Sequence, residues 1–447
     1  MDRKRYARSS APASHERKAT RMIPPHVAHV LLPSIVGISI LLMLIRPRGL
    51  PEIWWIAGGA FLLLVLRLVP IRLAGKAVAE GTDVYLFLIG MMLLSELARE
   101  QGVFDWASSV AVQRANGSSS RLFALVYLVG TVVTIFMSND ATAVVLTPAI
   151  LTAVRKAQID PLPHLFVCAL IANAASFVLP ISNPANLVVF HSGMPSLQRW
   201  LASFFVPSVF SIVCTFVVMR WIFRKQLRQP IDVKVESSCL SINGKLVLAG
   251  LAAMVGILLA VSASKNDLGL PTCLAALVIT AIVSIKAQAN PLKLAREISW
   301  STLLLVAGLF VMVDAVESQG ALQLTQSWLA RAQTFTPAVA ALMVGFVVAV
   351  GNNVVNNLPL GLIVGATLQA AHAKSLITNA VLIGVDLGPN LSVTGSLATI
   401  LWLLALRKEK LEIGFWKFLQ VGGVAMPVAL LAALGAAIVM NRMIGQH

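Results

Sequence analysis

Charged residues are scarce in this chain of 447 residues: Asp, Glu, Lys and Arg make up 12% of it, whereas 57% of its residues are hydrophobic. Soluble domains carry about 25% charged residues, so the composition excludes a soluble globular protein. Apolar runs such as 246–263 recur along the chain, and a membrane-spanning helix needs about 20 such residues. The runs lack the polar–apolar alternation of membrane β-strands. The sequence therefore predicts an all-α, polytopic membrane protein.

Cysteine is also scarce, and the motifs of several enzyme classes are missing. The four cysteines lie far apart and form no CxxC pair, which argues against a metal cluster or a disulfide framework. The seven histidines show no ligand spacing, and the chain contains no GxxxxGK[ST], HExxH or GxSxG pattern. These patterns mark nucleotide hydrolysis, metalloprotease and hydrolase chemistry. We therefore expect a transporter rather than an enzyme, with no cofactor, no resident metal and no nucleic-acid partner.

Basic residues outnumber acidic ones, and the formal net charge is +16. Seven of the 35 Lys and Arg residues lie within the first 21 positions. This segment is polar and contains Ser, Ala and Pro, so we expect a disordered basic tail over 1–25. The tail either binds anionic lipid or is simply solvated.

The rest of the chain repeats itself. Four residue pairs recur at a common offset of 218 in apolar surroundings, which indicates a duplication: Gly90 and Gly308, Glu96 and Asp314, Gly102 and Gly320, Asn139 and Asn357. We expect a first transmembrane repeat over 26–223, a polar linker over 224–245 and a second repeat over 246–443. Secondary transporters are often built from two such halves, with the substrate held between them near mid-membrane.

Polar residues interrupt two long apolar stretches in each predicted half, at 121–155 and 163–193, then at 336–372 and 376–406. Polar groups at membrane depth are costly unless they are paired or line a cavity. The alternative is that these breaks are kinks and helix-packing contacts. A neutral polar site built there would suit a hydroxylated small molecule, an oxyanion or a small cation. The predicted substrate-binding residues are Ser138, Asn139, Asn183, Asn186, Asn356, Asn357, Thr394 and Ser396.

Two acids, Asp140 and Asp386, lie within these breaks. Desolvation favours the protonated form of a carboxylate in a membrane, so such a group can carry a proton. We expect Asp140 to be the proton carrier and Asp386 to be a second carrier or a structural partner. The alternative for both is a helix-capping Asp that accepts backbone N–H groups.

At these residues the chain resembles the ArsB-type arsenite efflux permeases of the ion transporter superfamily. The resemblance implies inverted repeats with re-entrant hairpins and broken helices in a bacterial inner membrane. It also implies export of arsenite and antimonite driven by proton entry, and it leaves a soluble ATPase subunit and an oligomer open as partners. Thr142 stands where relatives tend to have a small apolar residue. The matching segments are RPRGL (46–50), GVFDWAS (102–108), SNDATAVVLTP (138–148), ISNPANLV (181–188), NNLPLGLIVGA (356–366) and DLGPNLSVTGSLATILWL (386–403).

The distribution of positive charge bears on the topology, because Lys and Arg favour the cytoplasmic side. If 121–155 and 336–372 are hairpins, each half crosses five times, and the cytoplasmic loops hold 20 Lys and Arg against 8 outside, leaving out the tail. With single crossings the corresponding counts are 16 and 12. The larger bias predicts ten spans, two hairpins and an outside amino terminus. With the tail included, single crossings give the larger bias.

Two other functions fit the same sequence features. A sodium/proton antiporter or anion transporter of the same superfamily would share the scaffold. An ion channel is the alternative from another class.

Overall fold

In the computed structural model every regular element is helical, and no strand occurs in the described residues, which are 24–45, 47, 50–191, 193–229, 231, 239–264, 266–287, 290–318, 320 and 322–444. The basic tail predicted over 1–25 lies almost entirely outside them. The α-helices are α1 Pro25–Ile45, α2 Glu52–Val65, α3 Ile71–Glu80, α4 Thr82–Glu100, α5 Val103–Arg114, α6 Ser119–Phe136, α7 Asn139–Ala141, α8 Thr147–Lys156, α9 Leu162–Ala174, α10 Pro184–Val189, α11 Leu197–Ile222, α12 Ile242–Ala263, α13 Gly269–Ala287, α14 Pro291–Glu297, α15 Trp300–Ser318, α16 Leu322–Ala332, α17 Pro337–Val355, α18 Asn357–Ala370, α19 Ser375–Leu387, α20 Leu397–Lys408 and α21 Phe415–Ile444.

Many of these helices can cross a membrane. Among the described residues, seven are long and apolar enough to span by themselves, and α3 with α4, bent by 48° between them, makes an eighth. Four shorter apolar helices of 10–17 residues lie within α1, α2, α9 and α18. The predicted class, an all-α polytopic membrane protein, is confirmed.

The two halves of the chain repeat the same order of elements. Each half has two helices, a short helix followed by a long one, a further short helix, a hairpin, a broken helix and a long last helix. The last helix contains a proline in both halves, Pro207 in α11 and Pro427 in α21. The packing partners are exchanged between the halves, since α4 packs against α13 while α15 packs against α2. The two last helices, α11 and α21, pack against each other. The order of the elements and these contacts therefore correspond between the two halves.

A hairpin occurs in each half where the sequence is interrupted by Asn. The hydroxyl oxygens of Thr134 on α6 and Thr142, just after α7, are 2.8 Å apart, so the two limbs turn back beside each other. In the second half, a Cβ atom added to Gly351 on α17 would lie 3.3 Å from the side chain of Leu360 on α18. The chain therefore reverses at Ser138 and at Asn356, as the hairpin prediction requires.

A broken helix follows each hairpin. The chain between α9 and α10 covers 175–183, and the chain between α19 and α20 covers 388–396, so both breaks are nine residues long. Each break contains a short 3-10 helix, Pro180–Ser182 in the first half and Gly388–Asn390 in the second. Proline has no N–H group with which to continue a helix, and Pro180, Pro184 and Pro389 lie at these points. The breaks thus follow directly from the sequence.

Candidate functional site

Four helices begin at the centre of the molecule, two from each half, and each beginning is capped by a side chain. Ser138 and Ser396 accept hydrogen bonds from Ala141 N at 3.2 Å and Thr399 N at 3.1 Å. Asn183 and Asn356 accept from Ala185 N at 2.9 Å and Leu358 N at 3.4 Å. Such caps satisfy N–H groups that the first helical turn leaves free. Short polar residues were therefore needed at these positions to start α7, α10, α18 and α20 inside an apolar interior.

The tip of the first hairpin contains an irregular turn. A π-helix over Thr142–Leu146 follows α7, and the hydroxyl group of Thr147 donates to Thr142 O over 3.1 Å. The hydroxyl groups of Thr134 and Thr142 are both fully buried and bond to each other. Single-turn π segments occur frequently at functional sites. Here the segment begins two residues after Asp140, which lines the central cavity.

The second hairpin is tied to the second break by a network of hydrogen bonds. Asn357 N donates to Gly395 O over 3.0 Å, and Asn356 Nδ2 donates to Thr394 O over 3.2 Å. The hydroxyl group of Thr394 donates to the backbone oxygen of Asn353 over 2.9 Å. The hydroxyl group of Ser392 donates to Asn353 Oδ1 over 2.7 Å. Asn356 has φ 78° and ψ 151°, a backbone conformation that is strained for any residue other than Gly. The hairpin and the break are therefore joined by several hydrogen bonds.

The first break is held in the same way. Asn186 Nδ2 donates to Ser176 O over 2.9 Å, within the break, and the hydroxyl group of Ser182 donates to Ile135 O at the end of α6 over 2.9 Å. Each half therefore ties its hairpin to its own broken helix.

The two broken helices contact each other through two polar pairs. Asn183 Nδ2 donates to Asp386 Oδ1 over 2.5 Å, and the hydroxyl group of Ser396 donates to Asn173 Oδ1 over 3.4 Å. Both pairs join the cap of one broken helix to the last turn before the other break. Asn173 Nδ2 also donates to Asn390 Oδ1 over 2.9 Å. All these side chains are at most 1% exposed.

Asp386 is fully buried, and its second oxygen, Oδ2, has no hydrogen-bond partner in the described part of the chain. The five ion pairs found among those same residues all involve other groups, so no Lys or Arg compensates this carboxylate. A buried charge without a partner is very costly, and the described surroundings of Asp386 offer no compensating positive group.

A small cavity lies where the four helices begin. Its volume of about 10 Å³ is about what one water molecule requires, so the site has no room for a larger molecule in this conformation. No Lys or Arg occurs among the described residues that line it. The lining residues are Leu88, Asn139, Asp140, Asn183, Pro184, Thr302, Asn357, Leu358, Leu397 and Ala398.

Two oxygen atoms of this site have no donor. Oδ1 of Asn139 and Oδ1 of Asn357 are buried, and neither accepts a hydrogen bond within the described residues. The two residues occupy equivalent positions of the two repeats, and each is 2% exposed. Asp140 lies beside them and is only partly buried; it makes no hydrogen bond or ion pair in the part of the chain that the structure describes. The cavity therefore offers three acceptors to a ligand that carries O–H groups or positive charge.

The sequence-predicted residues divide into three groups. Asn139, Asp140, Asn183 and Asn357 line the cavity together. Ser138, Asn356 and Ser396 cap the helices that surround it, whereas Asn186 and Thr394 hold the breaks in shape. Asp386 does not line the cavity but accepts a hydrogen bond from Asn183, which does. The capping alternative does not describe the two acids, because neither carboxylate accepts a backbone N–H group in the described residues.

Two further residues of the site were missed by sequence reasoning. Thr302 lines the cavity from α15, and Asn173 pairs with Ser396 from the end of α9. Thr302 stands at the start of an apolar run, beside Ser299 and Ser301, and Asn173 stands near the end of one, seven residues before Pro180. An alignment of the two repeats at their breaks, rather than at their hairpins, would have identified Asn173. Its offset from Asp386 is 213 residues, which is also the offset between Asn183 and Ser396.

Comparisons with known proteins agree with this architecture. Residues 38–388 match the family model CitMHS, described as citrate transporter. The chain is 28% identical over 426 residues to an arsenical pump membrane protein of Escherichia coli K12, covering 91% of this chain and 98% of that protein. It is 22% identical over 417 residues to a putative arsenical pump membrane protein of Bacillus subtilis 168, covering 87% and 94%.

A solved structure shares the fold. The YdaH transporter of Alcanivorax borkumensis, whose topology is described as unusual, superimposes with a TM-score of 0.56 at 15% sequence identity. The match covers 94% of this chain and 98% of that one. The apolar helices and the bacterial relatives together make this chain a multi-pass protein of a bacterial inner membrane. Its resemblance to the ArsB-type permeases is confirmed, and the chain belongs to the citrate transporter family CitMHS.

Proposed function

We propose that the chain is a secondary transporter that exports arsenite and antimonite in exchange for protons. The observation that carries the proposal is the chemistry of the central cavity. Asn139 Oδ1 and Asn357 Oδ1 lack donors, and arsenite near neutral pH is an uncharged trihydroxide with three O–H groups. In a conformation with a wider cavity, two of these groups can donate to the two amide oxygens and the third can donate to Asp140, which lines the same cavity.

The absence of basic residues from the described cavity lining argues against citrate as the cargo. A tricarboxylate would need Lys or Arg partners to offset its charge in a water-poor site. The lining instead contains a carboxylate, Asp140, which would repel such an anion. We therefore assign a neutral hydroxylated cargo, although the family model carries the description citrate transporter.

Asp140 and Asp386 are the two groups to which we assign the proton. Asp140 lines the cavity. Asp386 is separated from the cavity by Asn183, with which it shares a hydrogen bond. Proton uptake by a membrane-buried carboxylate removes its charge, and its release creates a stronger acceptor for the hydroxyl groups of the cargo. Occupancy of the site by a proton and by arsenite would then alternate.

Access must alternate as well, because the cavity has room for about one water molecule. We propose that the halves are inverted repeats and that the hairpins and broken helices move as one body against the long helices α1, α2, α4, α12, α13 and α15. In each half the hairpin is bonded to its own broken helix, which supports a common movement.

Expression in a bacterial strain that lacks its own arsenite exporter tests the cargo. We expect growth at arsenite and antimonite concentrations that stop the parent strain, and no added uptake of citrate. Growth rescue by the chain in high sodium without arsenite resistance would favour the sodium/proton antiporter instead. Flux that is independent of the proton gradient and exceeds carrier turnover would favour a channel. Resistance that needs a co-expressed soluble ATPase would make the chain the membrane subunit of a pump.

A further inference from the structure

One end of the second half contains a cleft that the central site does not use. Two adjoining cavities of about 470 and 290 Å³ lie between the first turns of α17 and α19 and the last turns of α21. The larger is lined by Lys374 and Asn441 together with Phe335, Leu376 and Ile377, and Arg442 and Ile438 line the smaller. The cleft is thus apolar in its interior and basic at its rim.

The same place in the first half is filled by the chain itself. After α11 the chain forms a 3-10 helix, Gln226–Arg228, which contacts α6, and Ile231 N then donates to Gly117 O over 2.9 Å. Leu227 and Ile231 are 6% and 9% exposed, so they fill this place with apolar side chains. Gly117 lies 218 residues before Phe335, which makes the two locations equivalent. In the second half, no segment of the described residues covers the cleft.

The charge around the cleft is of one sign. Residues 318–385 and 413–447 contain no Asp or Glu. Lys374 and Arg442 are exposed, and neither forms an ion pair within the described part of the chain. An occupant must therefore have an apolar part, comparable to the side chains of Leu227 and Ile231 in the first half. It must also have a negative group that can contact Lys374 and Arg442. Basic clefts between membrane helices have this character when they bind anionic phospholipids.

We propose that an anionic phospholipid occupies this cleft, with its phosphate at Lys374 and Arg442 and one acyl chain against Ile377 and Ile438. The lipid replaces, in the second half, the segment that closes the first half. It contacts α17, which belongs to the second hairpin, α19, which carries Asp386, and α21. Bound lipid therefore stabilises the folded second half and restrains the beginning of α19.

The test uses the full-length protein purified in detergent, titrated with phosphatidylglycerol or with phosphatidylcholine, with the melting temperature and the lipid retained in native mass spectra as readouts. The double variant K374Q/R442Q removes both cations. The matched control K408Q/K417Q removes two cations near the opposite end of α21. We expect phosphatidylglycerol to stabilise the wild type and the control, and the half-effective concentration to rise about tenfold or more in K374Q/R442Q.

A third variant, Ala338→Trp, fills the apolar part of the cleft and leaves both cations in place; we expect it to lose bound phosphatidylglycerol as well. If K374Q/R442Q fails to fold, Ala338→Trp still tests whether phosphatidylglycerol binds in the cleft. Equal stabilisation by the two lipids, equal loss in both double variants, or full stabilisation by soluble glycerol 3-phosphate would overturn the proposal. Closure of the cleft by a second copy of the chain, seen as lipid-independent dimers that K374Q/R442Q abolishes, would also overturn it.

Discussion

Asn183 Nδ2 donates a hydrogen bond of 2.5 Å to Asp386 Oδ1, and this bond joins the two broken helices at the centre of the molecule. The repeat-related contact joins Ser396 to Asn173, with both partners shifted by 213 residues. An acid therefore stands at one of two equivalent positions and an amide at the other. Because the fold accepts a neutral amide in this place, the carboxyl group of Asp386 is not needed for packing, which supports a role in proton transfer.

We predict that Asp386→Asn folds normally but loses proton coupling. The amide reproduces the shape of the acid, as Asn173 does in the other half. The variant should be produced at the wild-type level with a similar melting temperature, while arsenite transport driven by a pH gradient falls to about a tenth or less. Purified yield, thermal unfolding and vesicle transport are the measurements. An unfolded Asp386→Asn protein would indicate a structural acid instead.

The reverse change, Asn173→Asp, should reduce stability. The Nδ2 group of Asn173 donates to Asn390 Oδ1 and, more weakly, to Thr399 Oγ1, and a carboxylate oxygen cannot donate in its place. Leaving buried acceptors without donors costs about 1–3 kcal/mol each. We expect a lower melting temperature than that of Asp386→Asn under the same conditions. A melting temperature equal to that of the wild type would mean that the hydrogen bonds donated by Asn173 Nδ2 do not stabilise the fold.

Asp140→Asn should abolish proton-coupled export, because Asp140 is the carboxylate in direct contact with the cavity. We expect arsenite resistance at matched expression to fall to that of cells without the transporter. Asp267→Asn, an identical change at an exposed position between α12 and α13, serves as the control and should keep full resistance. Normal resistance in Asp140→Asn would remove Asp140 from the mechanism.

The two threonines of the first hairpin should be energetically coupled. Thr134 and Thr142 share a hydrogen bond of 2.8 Å at the fully buried turn. Side-chain hydrogen bonds between membrane helices are worth about 0.6 kcal/mol on average and about 1.7 kcal/mol at most. Each single Thr→Val variant should lower stability, and the double variant should lower it by less than the sum. Strict additivity in this cycle would mean that the bond does not stabilise the hairpin.

The amino terminus should lie outside the cell if each half crosses the membrane five times. A small epitope placed before residue 24 should then be labelled on intact cells or spheroplasts. The charge of loops in the body of the chain favours this orientation, whereas the basic tail opposes it. Labelling only after the cells are permeabilised would overturn this orientation.

Much of this architecture could be predicted from sequence because the interruptions are chemically conspicuous. Pro, Gly and Asn occur inside apolar runs, and each such cluster became a hairpin tip or a helix break. The distinction between lining and capping could not be predicted. Ser138 and Asn139 are neighbours in sequence, but one side chain turns to the backbone and the other to the cavity. That difference depends on the local direction of the chain and not on residue type.

Asn173 escaped prediction for a different reason. The offset between repeats is 218 up to the hairpin tips and 213 at the broken helices, because the first half has five more residues between these points. A single offset therefore places Asn173 opposite Leu391 and hides its relation to Asp386. Thr302 gave no signal at all, since nothing near it in sequence marks a break.

Arsenite uptake into inverted membrane vesicles, with and without an imposed pH gradient and without ATP, is the decisive measurement for proton-coupled export. We predict uptake that follows the size of the gradient, stops when an uncoupler removes it, and is lost in Asp140→Asn and Asp386→Asn but not in Asp267→Asn. Uptake of equal rate with the gradient collapsed, or undiminished uptake by both central variants, would contradict proton-coupled export through this site.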